Sequence, residues 1–304
     1  MNPFRPLLAP HECPLTKPDF FEFLQYPLMV SPKYDGIRCI VLDGVCYSRS
    51  MKPLPSLQVQ EDFGHLEYFD GELIVGCPTD PNTYNRTQSH VMSKGKPGEL
   101  CFYVFDYVHP DWLEKAYVER VAKLERLING PEQTTEAEIK WVEQSWAASE
   151  RALMEWEESY LATGFEGVMM RHPGAPYKFG RGTYNEGIIY KLKRFQDAEG
   201  RIIDVLGGMT NTNKQERDER GYAKRSFRKA GMVASGMLGG FLVDYEGQEI
   251  TVAPGAFPHP DRYMILANKE AFIGRLLKFR FMSYGSKDRP RFARAVGFRD
   301  RMDL

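Results

Sequence analysis

Ile37-Arg38-Cys39-Ile40-Val41-Leu42-Asp43-Gly44-Val45-Cys46-Tyr47 carries two β-favouring apolar runs parted by Asp-Gly. That pair tolerates positive φ at both central positions and predicts a two-residue hairpin turn. Reading outward, residues 28–75 continue as strands, the last over 68–75, and a further strand covers 101–108. Leu113, Tyr117, Val121, Leu124 and Ile128 then fall on one face of a helix. A second helix is expected over about 149–162, stopped by Gly164. Strands are expected again at 165–170 and 188–195. Strands and helices mixed without strict β-α alternation predict an α+β domain. Past about residue 196 the pattern shifts to short β-like runs at 201–206, 240–245, 249–252 and 276–281. Residues 244–249 form a hairpin turn between two of them, and a polar loop over 210–235 separates the first two. A run of short strands in so short a stretch fits a small barrel, of which the OB-fold is one candidate. The reading therefore divides the chain into residues 1–195 and 196–304.

The 304 residues are 42% hydrophobic, enough for a core in each part. No stretch nears the ~20 apolar residues of a membrane-spanning helix. The opening residues carry no long apolar run, so no secretion signal is read. Cys13, Cys39, Cys46, Cys77 and Cys101 lie scattered without a C-x-x-C pair. That argues against a disulfide framework or structural zinc and for a reducing, cytoplasmic setting. The net charge of −1 conceals an asymmetry: residues 1–174 hold 16 Lys+Arg against 26 Asp+Glu, and residues 175–304 hold 24 against 15. A polyanion would be drawn to the C-terminal part.

Immediately before the hairpin stands Lys33-Tyr34-Asp35-Gly36-Ile37-Arg38. A lysine amine, with pKa about 10.4, becomes a nucleophile only if desolvation or nearby cations favour its neutral form. Arg38 and lysines close in space are the expected cations. In Phe69-Asp70-Gly71-Glu72-Leu73, Asp70 and Glu72 share one strand face and suit Mg²⁺, or a ribose hydroxyl and a metal-bound water. An aromatic in Tyr103-Val104-Phe105-Asp106 stacks on a base or fills a core. Glu166-Gly167 opens the strand Val168-Met169-Met170-Arg171, and Gly167 permits close backbone approach. Lys191 and Lys193 also share a strand face, an arrangement that an anion such as a triphosphate would offset. Each motif alone has an ordinary structural reading; their order and spacing do not.

Together these motifs resemble the covalent nucleotidyltransferases: DNA ligases, RNA ligases and mRNA-capping enzymes. The family pattern is matched in order by Lys33–Arg38, Arg49-Ser50, Asp70–Glu72, Phe105-Asp106, Glu166-Gly167 and Lys191–Lys193. Within the family the resemblance is to ATP-dependent DNA ligases of the short bacteriophage type. It implies an adenylation domain of antiparallel sheets with helices, followed by an OB-fold barrel. Because the lysine motif starts at residue 33, no large N-terminal DNA-binding domain is expected, and ATP rather than NAD is the expected nucleotide.

The resemblance further implies the roles. Lys33 takes AMP from ATP, with Lys191 and Lys193 offsetting phosphate charge and Mg²⁺ assisting. Arg38, Arg49, Glu72, Phe105, Glu166, Lys191 and Lys193 bind the nucleotide, Phe105 by stacking on adenine. Asp70, Glu72 and Glu166 are the candidate metal ligands. Nicked duplex DNA is the expected partner of a monomer, held by Arg38, Arg49, Lys214, Arg217, Arg220, Lys224, Arg225, Arg228 and Lys229. An RNA ligase, a capping guanylyltransferase and a catalytically idle nick-binding protein are the rival readings. The role of residues 289–300 stays open.

Overall fold

The structure is a computed structural model, described here for residues 3–10, 20–95, 98–130, 138–218, 223–282 and 289–299. It divides into two compact units, Met1–Lys193 and Arg194–Leu304. Among the described residues of the first unit nine strands alternate irregularly with four helices. The strands are β1 (Leu28–Pro32), β2 (Ile37–Leu42), β3 (Val45–Tyr47), β4 (Phe69–Val75), β5 (Leu100–Tyr107), β6 (Glu138–Trp141), β7 (Ser145–Ala147), β8 (Gly167–Arg171) and β9 (Ile189–Lys193). The helices are α1 (Leu57–Phe63), α2 (Thr83–Val91), α3 (Tyr117–Asn129) and α4 (Glu150–Ala162).

The strands form two sheets, ordered β3-β2-β4-β5-β6 and β7-β1-β8-β9. Every pairing is antiparallel except β5 with β6. Asp43 and Gly44 both take positive φ (52° and 74°) at the β2–β3 turn, as that dipeptide predicts. One face of the five-stranded sheet buries Cys39, Val41, Leu73, Phe102 and Val104 against Val59 and Phe63 of α1, Val91 of α2 and Leu124 of α3. One face of the four-stranded sheet buries Val30, Val168, Met170 and Leu192 against Leu153 of α4. Between the sheets Ile40 and Ile189 meet in a third cluster with Leu7 and Tyr177. Strand alternation then directs the other residues of both sheets toward the cleft between them.

The helix ends follow local chemistry. The Ser149 side chain accepts the Ala152 N–H and starts α4, whose exit turns through Gly164 at φ 96°. Glu119 accepts the Ala116 N–H at 3.1 Å, so α3 starts at Tyr117 and leaves Leu113 outside the helix. The strand read over 188–195 is interrupted: β9 ends at Lys193 and the next strand starts at Gln196.

The second unit contains β10 (Gln196–Asn211), β11 (Gln215–Arg217), β12 (Ala223–Arg225), β13 (Met232–Tyr245), β14 (Gln248–Val252), α5 (His259–Ala267), β15 (Leu276–Phe281) and β16 (Arg294–Phe298). Five strands pair in the order β14-β13-β10-β15-β16. A bridge between Ala253 and Arg294 joins the two ends of that order and closes the barrel. Phe241, Val243, Val252, Leu277 and Phe279 fill it, and Ile265 of α5 packs on the same core. The polar stretch 210–235, read as a loop, carries strands on either side of residues 219–222. Strands β10 and β13 run on into it, and β11 pairs with β12 as a separate hairpin.

Candidate active site

Lys33 follows the last residue of β1, where its backbone is clipped to the opposite strand. Its N–H donates to Gly167 O at 2.9 Å, and its carbonyl accepts the Glu166 N–H at 3.3 Å. Gly167 sits at φ 148°, and a Cβ there would lie 2.2 Å from Leu192 O, so only glycine permits this approach. Pairing of β8 with β9 sets Lys193 opposite Gly167 and Lys191 opposite Met169. The Lys33 ammonium donates to Glu166 Oε2, and Lys193 Nζ donates to Glu166 Oε1 at 2.9 Å. One carboxylate thus holds two of the lysines that the sequence singled out.

The electrostatics follow. Burial opposes charge on Glu166, but Lys33 and Lys193 outweigh it and bring its pKa down to about 2. Burial likewise opposes charge on Lys33, yet Glu166 above all, with Glu72 and Asp35, raises it above the ordinary lysine value. The expectation that neighbouring cations hold Lys33 neutral is therefore corrected: in the unliganded protein it is an anchored ammonium. Among the described residues Lys191 has no such anchor. Burial, then the charges of Lys193, Arg181 and Lys33, lower it to about 8. Lys193 is lowered too, chiefly by burial.

Across the cleft, Arg38 on β2 pairs with Glu72 on β4, and Ile40 with Asp70. Asp70 and Glu72 share the cleft face as alternation predicts, but they do different work. Asp70 is fully buried and receives Arg38 Nε at 2.5 Å, Arg38 Nη2 at 2.7 Å and the Tyr177 hydroxyl at 2.8 Å. Both its oxygens are engaged, and they fix the guanidinium of Arg38. Glu166 likewise has both its oxygens on lysines. Glu72 is half-buried and without a hydrogen bond among the described residues. Burial, against the pull of Lys33 and Arg38, raises its pKa to about 7.

The β4–β5 register jumps from Asp70↔Asp106 to Gly71↔Val104, leaving Phe105 as the extra residue of a bulge. Without the bulge, consecutive residues would point to opposite faces. With it, Phe105 and Asp106 both serve the cleft. The Arg38 guanidinium lies 4.5 Å from the Phe105 ring centre and Arg171 lies at 5.9 Å. Asp106 is fully buried between Arg120 (2.7 and 3.2 Å) and Arg171 (2.6 Å). These arginines outweigh burial and hold its pKa below the usual carboxylate range.

Arg49 stands exposed on a turn after β3, with no ion pair among the described residues. Lys214, Arg217, Lys224, Arg225, Arg228 and Lys229 are all exposed on or beside the β11–β12 hairpin, in the other unit. Arg220 lies outside the described residues. Sequence reasoning missed Tyr177 and Arg120. Nothing local marks Tyr177, whose partner Asp70 is 107 residues away. Arg120 is completely buried within α3, where periodicity alone reads an arginine as solvated. Among the described residues no cluster of three or more His, Cys, Asp or Glu could hold a metal.

A two-sheet domain with a carboxylate-anchored lysine in its cleft, followed by a closed five-stranded barrel, is the build of a nucleotide-transferring ligase. The family model for the ATP-dependent DNA ligase domain matches residues 6–193, and that for the DNA ligase OB-like domain matches 231–299. The chain belongs to the ATP-dependent DNA ligase family. It is similar to the DNA ligase of African swine fever virus, 26% identical over 308 residues, covering 94% of this chain and 66% of that protein. The chain thus spans just under two thirds of that relative's length. The solved structure of Chlorella virus DNA ligase-adenylate is 31% identical, covering 98% of this chain and 99% of that one, with a TM-score of 0.54. A structure from a study of Lig E DNA ligases shares the fold at a TM-score of 0.65 and 24% identity, covering 90% and 92%. No helix among the described residues is long and apolar enough to cross a membrane.

Proposed function

We propose that this chain seals nicks in duplex DNA with ATP, through AMP carried on Lys33. The observation that supports this most is the Lys33–Glu166–Lys193 cluster, facing Glu72 and Arg38 across one cleft. At rest Glu166 holds the Lys33 ammonium in place. An arriving triphosphate competes with Glu166 for Lys193, and its negative charge favours the protonated form of Lys191. Each ammonium drawn off Glu166 makes that carboxylate more basic, so the resting anchor becomes able to take the Lys33 proton. Lys33 Nζ then bonds to the α-phosphorus as the bond to pyrophosphate breaks, with the lysines stabilising the charge. Phe105, backed by the Arg38 guanidinium, offers a ring for the adenine. AMP passes next to the 5′-phosphate at the nick, where Arg38 and Arg49 meet phosphate. The 3′-hydroxyl attacks that phosphate and AMP leaves.

Mg²⁺ suits this cleft in one way. Among the described residues Glu72 accepts no hydrogen bond, and one carboxylate with substrate phosphates and waters is a usual magnesium environment. Bound there, Mg²⁺ would neutralise phosphate charge. We propose a monomer acting in the cytoplasm, with the barrel's basic hairpin meeting DNA phosphates.

The test is incubation with α-labelled ATP and Mg²⁺ beside Lys33→Ala, followed by a chase with nicked duplex. Label should attach to the wild-type protein alone and leave as the nick closes. Label that attaches but is released only by nicked RNA, or that requires GTP, would favour an RNA ligase or a capping enzyme. No label on AMP-free protein would end the proposal.

A further inference from the structure

The carboxylate that clamps Arg38 is itself clamped, through one hydroxyl, to the start of the chain. Asp70 Oδ2 accepts from Arg38 Nη2 at 2.7 Å and from the Tyr177 hydroxyl at 2.8 Å. The same hydroxyl accepts the Leu7 N–H at 3.0 Å, and Arg38 Nη2 reaches Leu7 O at 3.5 Å. Leu7, Tyr177, Asp70 and Arg38 thus close a ring of hydrogen bonds in which the Tyr177 oxygen serves both as donor and as acceptor. Burial, and then the charge of Asp70, push the Tyr177 hydroxyl well above its ordinary value, which keeps it a donor. Leu7 and Asp70 are fully buried and Tyr177 is buried, so solvent does not readily stand in for a lost member.

The ring stands on a fixed frame. The Tyr177 N–H donates to Leu113 O at 2.7 Å. Leu8 N–H donates to Gly180 O at 3.0 Å and Gly182 N–H to Leu8 O at 2.8 Å, so the stretch carrying Leu7 lies along the stretch that follows Tyr177. Phe4 stacks on the Tyr177 ring with centres 5.9 Å apart and meets Phe179 edge-on at 5.0 Å. Arg38 is then held on one edge and one face. Asp70 takes Nε and Nη2, and the Phe105 ring centre lies 4.5 Å from the guanidinium carbon. Nη1 has no partner among the described residues, and the side chain keeps 14% of its surface open. A planar guanidinium gripped along one edge presents the other.

We infer that Tyr177 is a positioning residue for Arg38: its hydroxyl, tied to the Leu7 peptide, holds Asp70 so that Arg38 Nη1 is presented to the phosphate at the nick. This rests on the proposed ligase function, in which Arg38 meets that phosphate, and it gives residues 4–9 a part in the chemistry. Without the hydroxyl, Asp70 keeps its charge pair with Arg38 but loses the bond that sets the tilt of its carboxylate, and the buried Leu7 N–H loses its acceptor. A small misplacement of a group that acts on the reacting phosphate is felt in the rate. Affinity for duplex, spread over many phosphate contacts, is much less sensitive to one of them.

The full chain is charged beforehand with AMP on Lys33, and transfer of that AMP to a nicked duplex is followed in a single turnover. Tyr177→Phe removes one oxygen and keeps the packing with Phe4 and Phe179. It should slow transfer at saturating nick about tenfold, while affinity for the nick stays within about threefold of wild type. Arg38→Ala should slow transfer further. In the Arg38→Ala background, adding Tyr177→Phe should cost nothing more, because a residue that acts through Arg38 then has nothing to act on. A hydroxyl that only supported the fold would slow both backgrounds by the same factor. Rates are taken at a temperature where melting curves show every variant folded. A wild-type transfer rate in Tyr177→Phe, or losses that multiply in the double variant, would overturn the inference and leave the ligase reading intact. A wild-type protein that takes no AMP, or passes none to nicked DNA, would overturn both.

Discussion

Glu166 and Glu72 face one cleft with opposite titration, and each predicts a pH effect. Glu166 raises Lys33 by charge and hydrogen bond. In Glu166→Gln, burial and the neighbouring Lys193 charge would pull Lys33 below its ordinary value. The rising, acid-side limb of single-turnover adenylation, where Lys33 loses its proton, should move to lower pH by roughly a unit, with the plateau rate roughly ten- to a hundredfold lower. An unmoved limb would show that Glu166 does not set the Lys33 proton. Glu72, at about 7, lies above its unfolded value of about 4.3. The folded chain therefore binds more protons than the unfolded chain between those values, and loses stability as pH rises through that window. Glu72→Gln does not titrate. In the absence of ligand it should melt higher than wild type at pH 8, by about 2–4 °C for a stabilisation on the order of 1 kcal/mol after allowing for partial exposure. That gain should vanish near pH 4.5, and melting curves at both pH values check it.

Strands and their shared faces were legible because alternation needs only local sequence: the β2–β3 hairpin, the paired faces of Asp70 with Glu72 and Lys191 with Lys193, and the two ends of α4. What escaped was set at a distance. Helix α2, TYNRTQSHV, is too polar to show an apolar stripe, and it is held partly by Thr87, whose hydroxyl accepts the Val75 N–H at 2.9 Å. Helix α5 follows a proline and shows only one fully buried residue, Ile265. The bulge at Phe105 depends on the partner strand's register, which no reading of β5 alone supplies. Below that bulge Asp106 ties β5 to α3 and β8 through two arginines. Asp106→Asn would leave buried guanidinium charge without its counter-ion. The expected loss is about 3–5 kcal/mol, read by urea unfolding; a loss below about 1 kcal/mol would mean that this triad does not hold the elements together.

On the scale of the whole chain, the two units have separate cores, one in the paired sheets and one in the barrel. Ligand energy should therefore enter unevenly. Calorimetry is expected to resolve two transitions, and attachment of AMP should raise the melting of Met1–Lys193 while moving the barrel's transition little. Equal shifts in both would show that the units unfold as one. The bridge from Ala253 to Arg294 bears on how the chain tolerates cutting. A sheet closed into a ring has no terminal strand, so its last-made strand is as necessary as its first. Truncation ahead of Arg294 would strip β16 away and bare the flanks of β14 and β15, two ladders of backbone donors and acceptors open to strands of other molecules. The shortened protein would be lost first to aggregation, before any question of catalysis arose.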